Sequence, residues 1–60
     1  MINLKRIRED KGLTQATLAQ KANTSIRAIQ NYEAGLRTPN VNVALRIAKA
    51  LNVPVEEIFN

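Results

Sequence analysis

Apolar residues recur along the chain at helical spacings of three and four, and caps and turn residues interrupt that rhythm at short intervals. Ile2, Leu4 and Ile7 form the first stripe, with Asn3 as a candidate cap and Gly12 as a candidate stop. Leu13 follows the glycine and is expected to fold back onto that helix. Thr14 is the next N-cap candidate. Thr17 stands where a capping box wants Glu or Gln, so the box is half present. Leu18, Ala19 and Ala22 then make an inner face, and only Asn23 and Thr24 separate this helix from Ser25, which can cap a third. In the third helix Ile29 and Tyr32 share a face, and Gly35 can end it in the left-handed conformation. Residues 35–39 read as a loop. Asn40 can cap a fourth helix with an expected inner face of Val41, Ala44, Leu45, Ala48 and Leu51, and Asn52 is a left-handed stop. Pro54 suits the start of a last short helix holding Val55, Ile58 and Phe59. No period-2 stretch reads as a strand. The pattern predicts an all-α fold of five short helices around one core, as a single domain over residues 1–60.

Composition narrows the chemistry. A chain of 60 residues buries only about 60% of its unfolded surface, so its stability is marginal. It has no Cys and no His, which excludes disulfides, thiolate catalysis and the usual zinc sites. No metal or cofactor is expected. No apolar run approaches the roughly 20 residues of a membrane span, and no signal-peptide pattern opens the chain. A cytoplasmic protein is expected. Only Tyr32 and Phe59 are aromatic, so the core must be aliphatic. Without His, Cys, a glycine-rich phosphate loop or room for an enclosed pocket, the chain does not read as an enzyme.

The formal net charge is +4, and all of it lies in residues 1–37. Beyond Arg37, Arg46 and Lys49 balance Glu56 and Glu57. A polyanion is the natural partner of such a surface. Charge alone fits a solubilising surface equally well.

The third helix carries the sharper question. Opposite Ile29 and Tyr32 stand Arg27, Gln30, Asn31 and Ala34. A face meant only for water usually carries more Lys and Glu. The short joint before it makes a helix-turn-helix with the second helix, and Ala19 and Ala22 supply the small residues needed where the two approach. On geometry alone that joint is a weak pointer to DNA, since any small bundle has several.

The run LTQATLAQKANTSIRAIQNYEAGLRTPNVNVALRIAKALNVPVEEIF resembles the XRE-type, or phage repressor and Cro-like, helix-turn-helix family. The resemblance spans about Leu4 to Phe59. It rests on Leu13-Thr14-Gln15, Leu18-Ala19, Ser25, Ile29, Glu33, Gly35, Pro39, and Leu45 through Ala48 to Leu51. Asn23 stands where the family often has Gly, Ala34 replaces a frequent polar or basic residue, and Pro54 replaces a common Ser cap.

The resemblance implies a lambda-repressor-like DNA-binding domain whose third helix lies in the major groove of double-stranded DNA. Arg27 would then take guanine O6 and N7, and Asn31 and Gln30 adenine N6 and N7. Ile26 would touch a thymine methyl or belong to the core. Gln15, Ser25, Arg37 and Thr24 would meet phosphates, with Gln15 also bracing the third helix. Lys5, Arg6 and Lys11 would steer or simply be surface. An exposed Glu33 would repel phosphate, and the resemblance implies that it turns inward to pair with Arg8. The implied function is a sequence-specific transcriptional regulator, a repressor in the first instance. It would be associated with the nucleoid when bound, and would act as a homodimer on DNA that is compatible with a free monomer. The dimer patch is expected on the fourth and fifth helices, with Val53, Val55 or Phe59 exposed. The alternative is a protein-interaction module of the same fold, such as an antitoxin or coactivator domain. A bare structural bundle is the third reading.

Overall fold

The computed structural model describes residues 3–59. They form five helices: α1 (Leu4–Asp10), α2 (Gln15–Lys21), α3 (Ile26–Glu33), α4 (Val41–Leu51) and α5 (Val55–Ile58). Ile2, part of the expected first stripe, lies outside the described residues.

Helices this short are marginal in water, so caps and packing must hold them. The Thr14 hydroxyl accepts the Thr17 amide at 3.0 Å, that of Ser25 accepts the Ala28 amide at 3.0 Å, and Asn40 Oδ1 accepts the Val43 amide at 2.9 Å. The half capping box has its own repair, since the Thr14 and Thr17 hydroxyls hydrogen-bond at 2.9 Å. The first four helices all close alike. Gly12, Asn23, Gly35 and Asn52 take positive φ. The amides of Leu13, Thr24, Leu36 and Val53 then reach back to the carbonyls of Arg8, Ala19, Asn31 and Ala48 at 2.9–3.1 Å. This is the double closure that uses a left-handed residue to satisfy otherwise orphaned carbonyls. It also turns the chain sharply, which lets Leu13 and Val53 pack against the core.

Asn3 departs from expectation. It precedes α1 but caps nothing with its side chain. Its amide donates to the Ile58 carbonyl at 3.0 Å and its Nδ2 to the Glu57 carbonyl at 3.3 Å. Asn3 is committed to α5, which ties the two ends of the bundle together.

The core is aliphatic: Leu4, Leu18, Ala19, Ala22, Ile29, Ile47, Ala48, Leu51 and Ile58. Ile7, Leu13, Tyr32, Val55 and Phe59 pack around it, half-buried. The inner face of α4 differs from the expected one. Ala44, Ala48 and Leu51 are buried, but Val41 is 73% and Leu45 51% exposed, and Ile47 is fully buried instead. Eight of the eleven residues of α4 are apolar, so the pattern leaves the phase of its stripe open. Packing against α2 and α5 selects the face of Ala44, Ile47, Ala48 and Leu51, and at 100° per residue Leu45 falls off that face. Val53, Val55 and Phe59, expected to be exposed on the fourth and fifth helices, are instead half-buried against the core.

Among the described residues no helix is long and apolar enough to cross a membrane.

Candidate nucleic-acid interface

α2 and α3 are built to lie close. Ala19 and Ala22 are 2% and 0% exposed, and such small side chains let helix axes approach. Ile29 on α3 is fully buried beside them, and Tyr32 half-buries its ring. With that face fixed inward, Arg27 and Gln30 stand exposed and Asn31 half-exposed. Ala34 is exposed beyond them and leaves the backbone unobstructed. Ile26, which sequence left between core and surface, is 46% exposed and is not part of the core cluster.

Between α3 and the loop that follows it runs an open groove of about 460 Å³, lined by Ser25, Arg27, Asn31, Tyr32, Arg37 and Asn40 among others. The loop is tied to α3 by the Leu36 and Arg37 amides, which both donate to the Asn31 carbonyl at 2.9 and 3.3 Å. The groove therefore joins four of the expected contact residues, Ser25, Arg27, Asn31 and Arg37. Gln15 and Gln30 meet on another flank, where Gln30 Nε2 stands 3.5 Å from Gln15 Oε1. Thr24 and Ile26 line neither the groove nor that pair. Thr24 is half-buried in the turn, and its amide closes α2.

Beneath this face lies a polar network. Arg8 Nε donates to Glu33 Oε2 at 2.6 Å and Nη2 to Glu33 Oε1 at 3.2 Å. Arg8 Nη1 donates to the Leu13 carbonyl at 2.8 Å, and Gln15 Nε2 to Glu33 Oε1 at 2.9 Å. The Arg8 and Glu33 side chains are only 9% and 5% exposed. Its hydrogen bonding to the Glu33 carboxylate is the largest reason the Arg8 guanidinium holds its proton more tightly than usual, and burial works against it. Every polar side-chain atom buried among the described residues has a partner. The carboxylate of α3 is thus turned away from the outer face, which keeps only Arg27 as its formal charge.

One participant escaped the sequence reading. Arg46 on α4 donates from Nε to the Ala22 carbonyl at 2.9 Å, at the joint between α2 and α3. Its only sequence signal is its place one residue before the core residue Ile47. Thr38 and Asn40 also line the groove, and neither stood out except Asn40 as a cap. Among the described residues no cluster of His, Cys, Asp or Glu could hold a metal ion.

The pattern that defines the helix-turn-helix family matches residues 4–58. The chain belongs to that family. It is 42% identical over 52 residues to a Methanocaldococcus jannaschii protein that carries the name of an HTH-type transcriptional regulatory protein. Those residues are 87% of this chain and 16% of the relative. It is 41% identical over 46 residues to multiprotein-bridging factor 1 of Eremothecium gossypii, covering 77% of this chain and 30% of that protein. The chain therefore spans less than a third of either relative. Among solved structures it is similar to the restriction-modification controller protein C.AhdI from Aeromonas hydrophila, with a TM-score of 0.88 and 32% identity over 93% of this chain and 85% of that one. That similarity carries the all-α helix-turn-helix architecture across nearly the whole described chain.

Proposed function

We propose that this helix-turn-helix chain binds double-stranded DNA sequence-selectively and regulates transcription, as a repressor that occupies its operator. The observation that carries this reading is the outer face of α3. It holds Arg27, Gln30 and Asn31 outward on a helix whose own carboxylate is internally paired. In this reading Arg27 takes the acceptor pair of guanine, and Asn31 and Gln30 take the donor and acceptor of adenine. Ile26, being exposed, takes a thymine methyl. Ser25 and Arg37 bind phosphate from the groove, and Gln15 and Thr24 bind it near the start of α2 and in the turn. Two copies on a palindrome supply the affinity that one small module lacks, since such a module buries only about 600–1,000 Å² on DNA. The names of the M. jannaschii relative and of the controller protein support regulation.

The test is selection of bound duplexes from a randomised pool, followed by a salt titration on the winner. One enriched motif, with affinity falling steeply as salt rises, is the expected result. No enrichment together with salt-insensitive binding would reject it.

The similarity to a multiprotein-bridging factor favours one second reading, a protein-interaction module. It predicts no duplex selection, so the same experiment separates the two.

A further inference from the structure

The direction in which α3 leaves α2 is decided within a very short joint. Ala22 ends α2 and Ser25 caps α3, so Asn23 and Thr24 carry the turn. Asn23 sits at φ 53°, a left-handed conformation that favours glycine. The carbonyls at a helix end also lack helical partners. Arg46 addresses both features at once. Its Nε donates to the Ala22 carbonyl at 2.9 Å, and its Nη2 stands 3.5 Å from the Asn23 carbonyl. Those two carbonyls bracket Asn23. A planar guanidinium that engages both restricts the dihedrals on either side of it.

The grip comes from a rigid base. Arg46 stands on α4 next to Ile47, whose side chain is fully buried in the core. Among the described residues these are the only side-chain hydrogen bonds between α4 and the unit formed by α2, its turn and α3. Nor does Arg46 share in an ion pair there, since the one pair described is Arg8 with Glu33. We propose that Arg46 is a positioning residue for DNA recognition, which clamps the turn and so sets the angle at which α3 presents its polar face. The proposal rests on the DNA-binding reading above.

The experiment compares wild type, Arg46→Met and Arg46→Lys. Amide residual dipolar couplings of the DNA-free proteins report the angle between α2 and α3. Binding at one fixed ionic strength compares the duplex selected by wild type with a scrambled duplex. Arg46→Met is expected to change the angle and to lower the preference for the selected duplex about tenfold, the scale of one good base contact. Arg46→Lys keeps the charge and one donor, and should recover part of both. Couplings of Arg46→Met that fit the wild-type angle would overturn the proposal. So would an equal loss on both duplexes, which marks a phosphate contact and not a clamp. If Arg46→Met does not fold, Arg46→Lys is judged on the same two readouts against wild type. If wild type prefers no duplex, the DNA reading fails, and the couplings alone judge the clamp.

Discussion

At the scale of single residues, Glu33 shows how an acidic side chain on α3 is kept off the polar outer face. A carboxylate on α3 would repel phosphate, yet this one is held inward by two bonds from Arg8 and one from Gln15. Desolvation offsets much of the attraction in such a pair, so it need not add net stability. Removing one partner strands the other. Arg8→Met and Glu33→Leu are each expected to cost about 3–5 kcal/mol, with the double variant recovering part of the loss. Thermal melts of the three variants decide it, and singles that melt like the parent would contradict a coupled buried pair. On the outer face the expectation is different. Arg27→Ala or Asn31→Ala should each relax one operator position at a cost of about 1–3 kcal/mol, while Arg37→Ala should weaken all duplexes alike. Binding profiles on randomised sites separate these outcomes.

At the scale of elements, the ends matter as much as the faces. α2 has seven residues and depends on Thr14 for its start. Thr14→Ala removes the acceptor for the Thr17 amide and should cost about 1 kcal/mol, which in a domain this small lowers Tm by roughly 4–8 °C. Gly35 ends α3 at φ 75° with open space around it. Gly35→Ala should therefore lose stability through backbone strain alone, about 1–2 kcal/mol, with no steric rearrangement. Calorimetry measures the loss, and amide shifts confined to residues near the substitution would confirm that nothing repacks.

At the scale of the whole molecule, size and charge set what the chain can do on DNA. Its Cα atoms span 21 × 21 × 19 Å, while half-sites one helical turn apart are centred about 34 Å from each other. On the proposed reading, a copy of these dimensions is too short to reach both half-sites. A palindromic operator should therefore show two copies per duplex at saturation, with a footprint across both halves. A one-to-one stoichiometry over a single half-site would exclude the dimer. Because all of the net charge of +4 lies in residues 1–37, the salt dependence should fall on substituting Arg37 and stay unchanged on substituting Lys49.

The sequence by itself determined the local structure. Caps at Thr14, Ser25 and Asn40, and left-handed stops at Gly12, Asn23, Gly35 and Asn52, depend on neighbours within a few residues, so residue identity and spacing specify them. The polar face of α3 was legible for the same reason, because Ile29 and Tyr32 mark its opposite side. Three features were decided only in the tertiary structure. The inner face of α4 turned on Ile47, not on Val41 or Leu45, because so apolar a helix takes its phase from what it packs against. Asn3 gave up its expected capping role for α5, 54 residues away along the chain. Arg46 found the carbonyls of Ala22 and Asn23, 24 and 23 residues before it. A guanidinium can satisfy any nearby acceptor, and only the folded chain decides which acceptors are near.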